Sequence, residues 1–573
     1  MPNLLAMSFE GELAPSFTLH CLDAGRTLPD GWGMGYYPAG EPSAAVLKEP
    51  APPQGSIRSQ LALAWEQVAS KLFVLHIRHA TWGPLSDANT QPFSRAWGRR
   101  DWLFAHAGSL DKKLADLAGP FEPVGATDTE QLFCRLLNMF VTKGWKRLAD
   151  AELAALVTWI GDLDEQGGMT LCVTDGADLL AHAGRRDHGV PLWIGELLPP
   201  YEKIAFGDDD LEIDLTRRGA KARKGVIVCS EELVPRDGDA AKAIAWRKLA
   251  PGDLVVIREG AVMESRSTGG PIERAFARIP ARSKPCTYDI THRTVYRYTK
   301  PIERSLHVLR LTPFHDRLQT VKSHELSVSV NGQARDYEDV FGNRVRRLNV
   351  ESPFSELVIE ARSVVESLDV DPLGFGPLRV ASTIPLVWMP WQRQVLDPYL
   401  LPPELPETEL AELADYAMSF VRRNDSDLLE TMLDINTTIR REYKYIQGAT
   451  NVFTTPFEVY VNRRGVCQDF ANVMICLARL LGVPARYVCG YVYTGPKAEN
   501  QVQSEASHAW VQLYLPQIGW KGFDPTNGKL TQTEHIRVAV GRNYRDATPT
   551  SGTIFVGGGG ETLSVDVKIE PRA

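Results

Sequence analysis

The sequence predicts a multidomain α+β protein, and three observations carry that prediction. The chain has 573 residues, more than one ordinary core supports, so about three or four domains follow from typical domain size. Between about 286 and 366 apolar and aromatic residues alternate with a period of two, as antiparallel strands with one buried face require. On either side of that stretch, β-type runs are mixed with amphipathic helical segments.

From 1 to 275, strand-like runs such as Leu72-Phe73-Val74-Leu75-His76-Ile77, Trp102-Leu103-Phe104-Ala105-His106 and Val226-Ile227-Val228-Cys229 alternate with helical stretches at 128–142 and 151–160. Turn formers from Ser267-Thr268-Gly269-Gly270-Pro271 to Ser283-Lys284-Pro285 end this first domain. A β domain over 284–366 follows. There Tyr288, Ile290, His292, Thr294, Tyr296 and Tyr298 share one strand face, and 326–330, 344–350 and 357–361 form further strands. Residues 367–406 are rich in proline and tryptophan, with Pro372, Pro377, Pro385, Pro390, Pro398, Pro402, Pro403 and Pro406, and predict a connector packed across surfaces without regular structure.

The last domain, 407–573, opens with a helical pair at 407–423 and 426–443. A helix from Cys467 then places Phe470, Val473, Met474, Leu477, Leu480 and Leu481 on one stripe, and Gly482 with Pro484 stops it. A strand over 508–515 puts His508, Trp510, Gln512 and Tyr514 on one face and Ala509, Val511, Leu513 and Leu515 on the other. Asp524 ends the next short strand. Near the C-terminus, Gly557-Gly558-Gly559-Gly560 predicts a hairpin turn between 553–556 and 563–569, since it lacks the lysine of a phosphate loop.

Composition narrows the function. A net charge of -8 with interspersed signs supplies no basic patch, which excludes nucleic acid as an expected partner. No stretch approaches the roughly 20 apolar residues of a membrane span, so no membrane association is expected. Eight cysteines without a CxxC pair suit reduced thiols in the cytoplasm better than disulfides or zinc. Asp208-Asp209-Asp210 reads as a solvated acidic turn, and neither a metal nor an organic cofactor is expected.

The chemistry lies in the last domain. Cys467, His508 and Asp524 present a thiol, an imidazole and a carboxylate in chain order, which is the order of nucleophile, base and orienter. A helix N-terminus and a neighbouring imidazolium both favour the thiolate, and the backbone N–H of Cys467 faces a developing oxyanion. A second oxyanion donor is not identifiable from sequence.

The stretch from Thr454-Thr455-Pro456 through GVCQDFANVMICLARLLGVPARYVCGY, then SHAWVQLYLPQIGW and FDPT, resembles the bacterial and archaeal branch of the transglutaminase-like superfamily. The middle domain, with Tyr288, His292, Tyr296, Tyr298, Ser305, the run LRLTP and 339–343, resembles the β domain that precedes that core. The resemblance implies a papain-like α+β core with Cys467 as nucleophile, His508 as base and then acid, and Asp524 as orienter. It further implies a peptide or protein amide substrate, with hydrolysis or protein-glutamine transamidation as the outcome.

Residues 1–260 resemble the class II glutamine amidotransferases through Asn3-Leu4-Leu5-Ala6-Met7-Ser8-Phe9, Asp30-Gly31-Trp32-Gly33, Ile77-Arg78-His79-Ala80-Thr81, Asn89-Thr90-Gln91-Pro92-Phe93, Phe104-Ala105-His106-Ala107-Gly108, Thr127-Asp128-Thr129-Glu130 and Cys229-Ser230-Glu231. This implies an αββα sandwich of the Ntn-hydrolase kind. Pro2 stands where the family has its nucleophilic cysteine, and Ala107 where it has an oxyanion-binding asparagine. Both changes argue against glutaminase activity. Arg78, Thr81, Gly108 and Asp128 match positions that hold the glutamine, so the domain is either a glutamine or γ-glutamyl recognition module or a scaffold. The rival from another class is a non-catalytic, ligand-responsive binding protein.

Overall fold

The computed structural model describes residues 4–572 apart from 20–28, 53–56, 59–67, 112–113, 115–117, 186–189, 208–210, 217–222, 237–243, 275–282, 369–381, 496–506 and 517. Pro2 and the acidic run 208–210 lie outside the described residues. Contacts divide the chain into two units, Met1–Phe276 and Ala277–Ala573.

In the first unit the strand Leu4–Leu13 is buried almost throughout. It lies inside a seven-stranded sheet between Gly225–Cys229 and Ser70–Arg78. A second seven-stranded sheet contains Arg100–Ala107, Thr170–Thr174, Asp178–His182 and Leu254–Arg258. Alternation decides which way each side chain points. Leu4, Ala6, Val74, Val226 and Val228 face Leu103, Ala105, Cys172, Leu179 and Val255 across the gap between the sheets. Strands buried on both faces read as the continuous apolar runs seen in the sequence.

The helices Asp128–Lys143 and Leu153–Asp164 cover the outer face of the second sheet, with Phe133 stacked on Phe104 at 5.1 Å. Thr127 caps the first of them by accepting a hydrogen bond from Glu130 N. Leu5, Met7 and Phe9 point to the outer face of the first sheet, where among the described residues a four-stranded sheet packs through Ile204, Phe206, Ile213 and Leu215. This Ntn-like unit therefore presents helices on one side and a small sheet on the other.

In the second unit the 24-residue strand Cys286–Leu309 organises the β domain. Its first half pairs with Phe354–Ser367, its last residues with Arg344–Val350. The strands Thr550–Gly557 and Glu561–Pro571, expected in the catalytic core, pair with this long strand instead. The hairpin expected between them does not form. Both run antiparallel to Cys286–Leu309 in one line, so the four glycines interrupt a single continuous edge strand. Their function is conformational: Gly557, Gly558 and Gly559 have φ of +92°, +105° and +100°, opposite the register shift at 297–302 in the partner strand.

The proline-rich connector is a second correction. Among its described residues Pro390–Leu400 is an α-helix, with Pro390 in the first turn, where its missing N–H has no intrahelical acceptor to reach. Leu396 is buried, Trp388 Nε1 donates to Gly482 O at 3.0 Å, and Tyr399 packs edge-on against Trp520 at 5.1 Å.

The remaining core follows the expected pattern. Helices Glu407–Arg423, Leu428–Glu442 and Cys467–Leu480 pack against a five-stranded sheet containing Ala485–Val492, His508–Leu515, Gly519–Asp524 and His535–Gly541. Phe470, Val473, Met474 and Leu477 meet Ala509, Val511, Leu513 and Leu515. The opposite face of the sheet carries Val488, Trp510 and Val540, packed by Phe314 and Phe341 of the β domain. Side-chain amides seal this contact: Asn343 exchanges two 2.8 Å bonds with the Val540 backbone, and Gln319 two 2.9 Å bonds with the Arg537 backbone. Both act as substitute strand partners.

A Cβ at Gly557 would lie 2.2 Å from Pro301 O in a backbone region that L-residues avoid. Gly557→Ala is expected to destabilise the second unit by about 1–3 kcal/mol, read as a lower midpoint in denaturant unfolding.

Candidate functional site

Cys467 is the first residue of its helix, half-buried at the N-terminus. Its backbone N–H therefore points out of the helix end. Asp469, two residues on, turns back so that Oδ2 accepts Val466 N–H at 2.8 Å and Thr450 Oγ1 at 2.5 Å. This fixes the turn that presents the thiol. Gly465 makes room for it, since a Cβ there would sit 2.7 Å from Asp469 Oδ2. Tyr445 is held beside the same turn by the parallel pairing of Lys444–Tyr445 with Arg464–Gly465.

His508 opens its strand and Asp524 closes the neighbouring one. Val511 lies opposite Phe523 in that antiparallel pair, which brings the two ends to the same edge. His508 Nε2 and Asp524 Oδ2 are 3.0 Å apart, both groups being buried. With Nε2 engaged, Nδ1 is the ring atom left for the thiol. Trp510 stacks beside the imidazole at 6.0 Å.

The electrostatics follow from this packing. Burial alone would lower the His508 pKa, but the Asp524 carboxylate, hydrogen-bonded to the ring, and then the neighbouring Cys467 sulfur push it up from 6.5 to about 10. Burial alone would raise Asp524, and His508 followed by His535 holds it well below the usual carboxylate range. The imidazolium–carboxylate pair is thus the favoured ionic state near neutrality.

Sequence reasoning missed His535. Its Nε2 lies 3.1 Å from the same Asp524 Oδ2, and its ring meets the Trp510 edge at 5.3 Å. Its position only eleven residues beyond Asp524, at the start of an apolar alternating run, is the signal that could have flagged it. Cys476 and Cys489 are buried in the core, with both thiols pushed up to about 12 by burial.

A second site lies in the first unit, a cleft open to solvent and lined by Arg78, Thr81, Ala107, Gly108 and Asp128, together with His76, Trp82, Gln91 and His106. All four residues expected to bind there are brought together, and Ala107 is on the wall. Arg78 is buried: Nη2 donates to the carbonyls of Trp82, Gly83 and Pro84, while Nη1 has no partner among the described residues. Asp128 receives Leu110 N and Thr129 N, each at 2.8 Å. Burial and the neighbouring His106 push the His76 pKa down to about 3, so that imidazole is neutral. Among the described residues no group of three or more His, Cys, Asp or Glu could hold a metal ion, and no helix is long and apolar enough to cross a membrane.

Comparison with known proteins agrees with both halves. Residues 1–278 match the glutamine amidotransferases class-II, 288–366 the bacterial transglutaminase-like N-terminal region, and 414–525 the transglutaminase-like superfamily. The chain joins a class II glutamine amidotransferase domain to a transglutaminase-like core. The uncharacterised protein Rv2569c of Mycobacterium tuberculosis is 31% identical over 305 residues, spanning 50% of this chain and 92% of that one. A solved predicted glutamine amidotransferase from Pseudomonas aeruginosa shares 24% identity and a TM-score of 0.36, covering 45% of this chain and 98% of that one. The periplasmic domain of TgpA from the same organism shares 15% and a TM-score of 0.24, over 60% and 89%. The transglutaminase-like half places the protein in a thiol-based acyl-transfer family.

The raised His508 pKa has a testable consequence for stability. Its contribution is fully present below pH 6.5 and is lost as pH rises through about 10. That of Asp524, whose pKa is depressed, is present above 3.8 and lost as pH falls. The denaturation midpoint of wild type over His508→Gln is therefore expected to be greatest at about pH 5–6.5 and to shrink steadily by about pH 10–11. A difference that grows toward alkaline pH contradicts the assignment.

Proposed function

We propose that the chain is a thiol-dependent acyl-transfer enzyme that hydrolyses a peptide or amide bond through Cys467, His508 and Asp524. The buried 3.0 Å pair between His508 and Asp524, with the Cys467 sulfur close enough to the same imidazole to help raise its pKa, carries this reading. Cys467 Sγ, its proton resident on His508, attacks the acyl carbon, and the helix-end N–H of Cys467 donates to the oxyanion. His508 then protonates the leaving amine as the C–N bond breaks, giving a thioester. Water, deprotonated by His508, attacks in turn, the C–S bond breaks, and the acid leaves with the thiol restored. An amine in place of water would make the reaction a transamidation. The seven free cysteines of the described residues support a reducing compartment such as the cytoplasm.

Labelling by a peptidyl acyloxymethyl ketone, which alkylates activated thiols, tests this reading. Cys467→Ala is expected to abolish labelling, and His508→Ala to slow it by at least ~1,000-fold. Equal, weak labelling of all three proteins would favour the non-catalytic binding protein.

A second reading concerns the first unit. Glutamine hydrolysis there lacks its chemistry, since Pro2 has no thiol and the Ala107 methyl cannot donate to an oxyanion. The buried, half-partnered Arg78 guanidinium and the Asp128 carboxylate support retained recognition of a zwitterion, with glutamine or a γ-glutamyl group as the ligand class. Calorimetric titration with glutamine, glutamate and γ-glutamyl peptides is expected to show binding that Arg78→Ala removes. No heat at millimolar ligand leaves the domain a scaffold.

A further inference from the structure

The Asp524 carboxylate is unusually well provided with donors. Oδ2 is approached by His508 Nε2 at 3.0 Å, His535 Nε2 at 3.1 Å and Asn527 Nδ2 at 2.6 Å. Oδ1 accepts the backbone N–H of Thr526 at 3.0 Å and of Asn527 at 3.2 Å. A role as orienter of His508 requires only one of these five bonds.

The second imidazole is itself fixed. His535 Nδ1 accepts Gln532 N–H at 3.4 Å, which leaves the proton on Nε2 and makes that atom the donor to Asp524. The ring is buried, and its strand is held from the far side by the Gln319 and Asn343 amides. Among the described residues the charged and titratable groups around the cluster are Cys467 and Asp524 against His508, Tyr445, Asp469, Tyr487 and Cys489 near the thiol, and Glu534 beside His535 Nδ1 at 3.7 Å. Glu534 is in turn paired with Lys529 at 2.8 Å.

We propose that His535 is a positioning residue of the thiol site: by sharing Asp524 Oδ2 with His508, it fixes the rotation of the carboxylate and limits how tightly that carboxylate holds the His508 imidazolium. The physical reason is competition for one oxygen. Each N–H on Oδ2 draws on the same negative charge, so a donor removed from one side leaves more charge for the other. An imidazolium held too tightly is a poor acid toward a leaving amine. The inference rests on the thiol-enzyme reading above and adds to it a residue that touches neither sulfur nor substrate.

The test is the rate of iodoacetamide alkylation of Cys467 in the intact chain, followed by peptide mass spectrometry between pH 5 and pH 11. His508→Ala identifies the upper inflection that belongs to the His508 proton. In His535→Phe that inflection is expected to move upward by at least half a pH unit. His535→Gln, whose amide keeps a donor, moves it less. His535→Met, flexible enough to fill the same space, is the second donor-free variant should the phenylalanine not fold, with circular dichroism confirming the fold. A wild-type inflection that depends on His508 but is unmoved, or lowered, in the donor-free variants overturns the role of His535 alone. A wild type without any His508-dependent inflection overturns the thiol reading and this inference together.

Discussion

The second unit depends on one buried carboxylate. Asp524 is fully enclosed and ionised, a state that is unfavourable in an apolar interior unless donors surround it. Those donors come from three places: the strand opening at His508, the turn after Phe523, and the strand opening at His535. Satisfying the charge therefore draws two strands and a turn into one arrangement. That arrangement also sets His508 beside the helix end that carries Cys467, so the requirement for internal charge balance and the geometry of the site are the same constraint.

The β domain and the core are bound into this arrangement from behind. Gln319 and Asn343 take up backbone bonds of the strand that bears His535, and Arg537 forms a bidentate pair with Asp316 at 2.7 and 2.8 Å. The chain then leaves the core and returns to the long strand of the β domain for its last two strands. A sequence-level boundary that ends the β domain at 366 misses this return, because the pairing partner lies some 250 residues away. The glycines that allow it were visible, but a glycine run reads equally as a hairpin or as a kink in one strand.

The first unit shows the reverse relation between fold and chemistry. Its two facing sheets, its helical layer and a polar cleft are in place, while Pro2 and Ala107 stand where the family resemblance implies a thiol and an oxyanion donor. Packing and catalysis answer to different residues. The sheets depend on alternating apolar side chains such as Leu4 and Ala6, and these are indifferent to what stands at the site.

Most of the architecture was legible in the chain because it rests on local periodicity. The two-fold alternation from Tyr288, the stripe from Phe470 to Leu477 and the strand from His508 to Leu515 each declare their structure within a dozen residues. Thiol, imidazole and carboxylate were legible as well, since each sits at the end of such an element. The helix at Pro390–Leu400 was not, because its stability comes from Trp388, Leu396 and Tyr399 docking on surfaces elsewhere in the chain. His535 was not either. A histidine at the head of a strand has no meaning until two strands and a turn converge, and only the folded chain decides that its proton lands on the oxygen already held by His508.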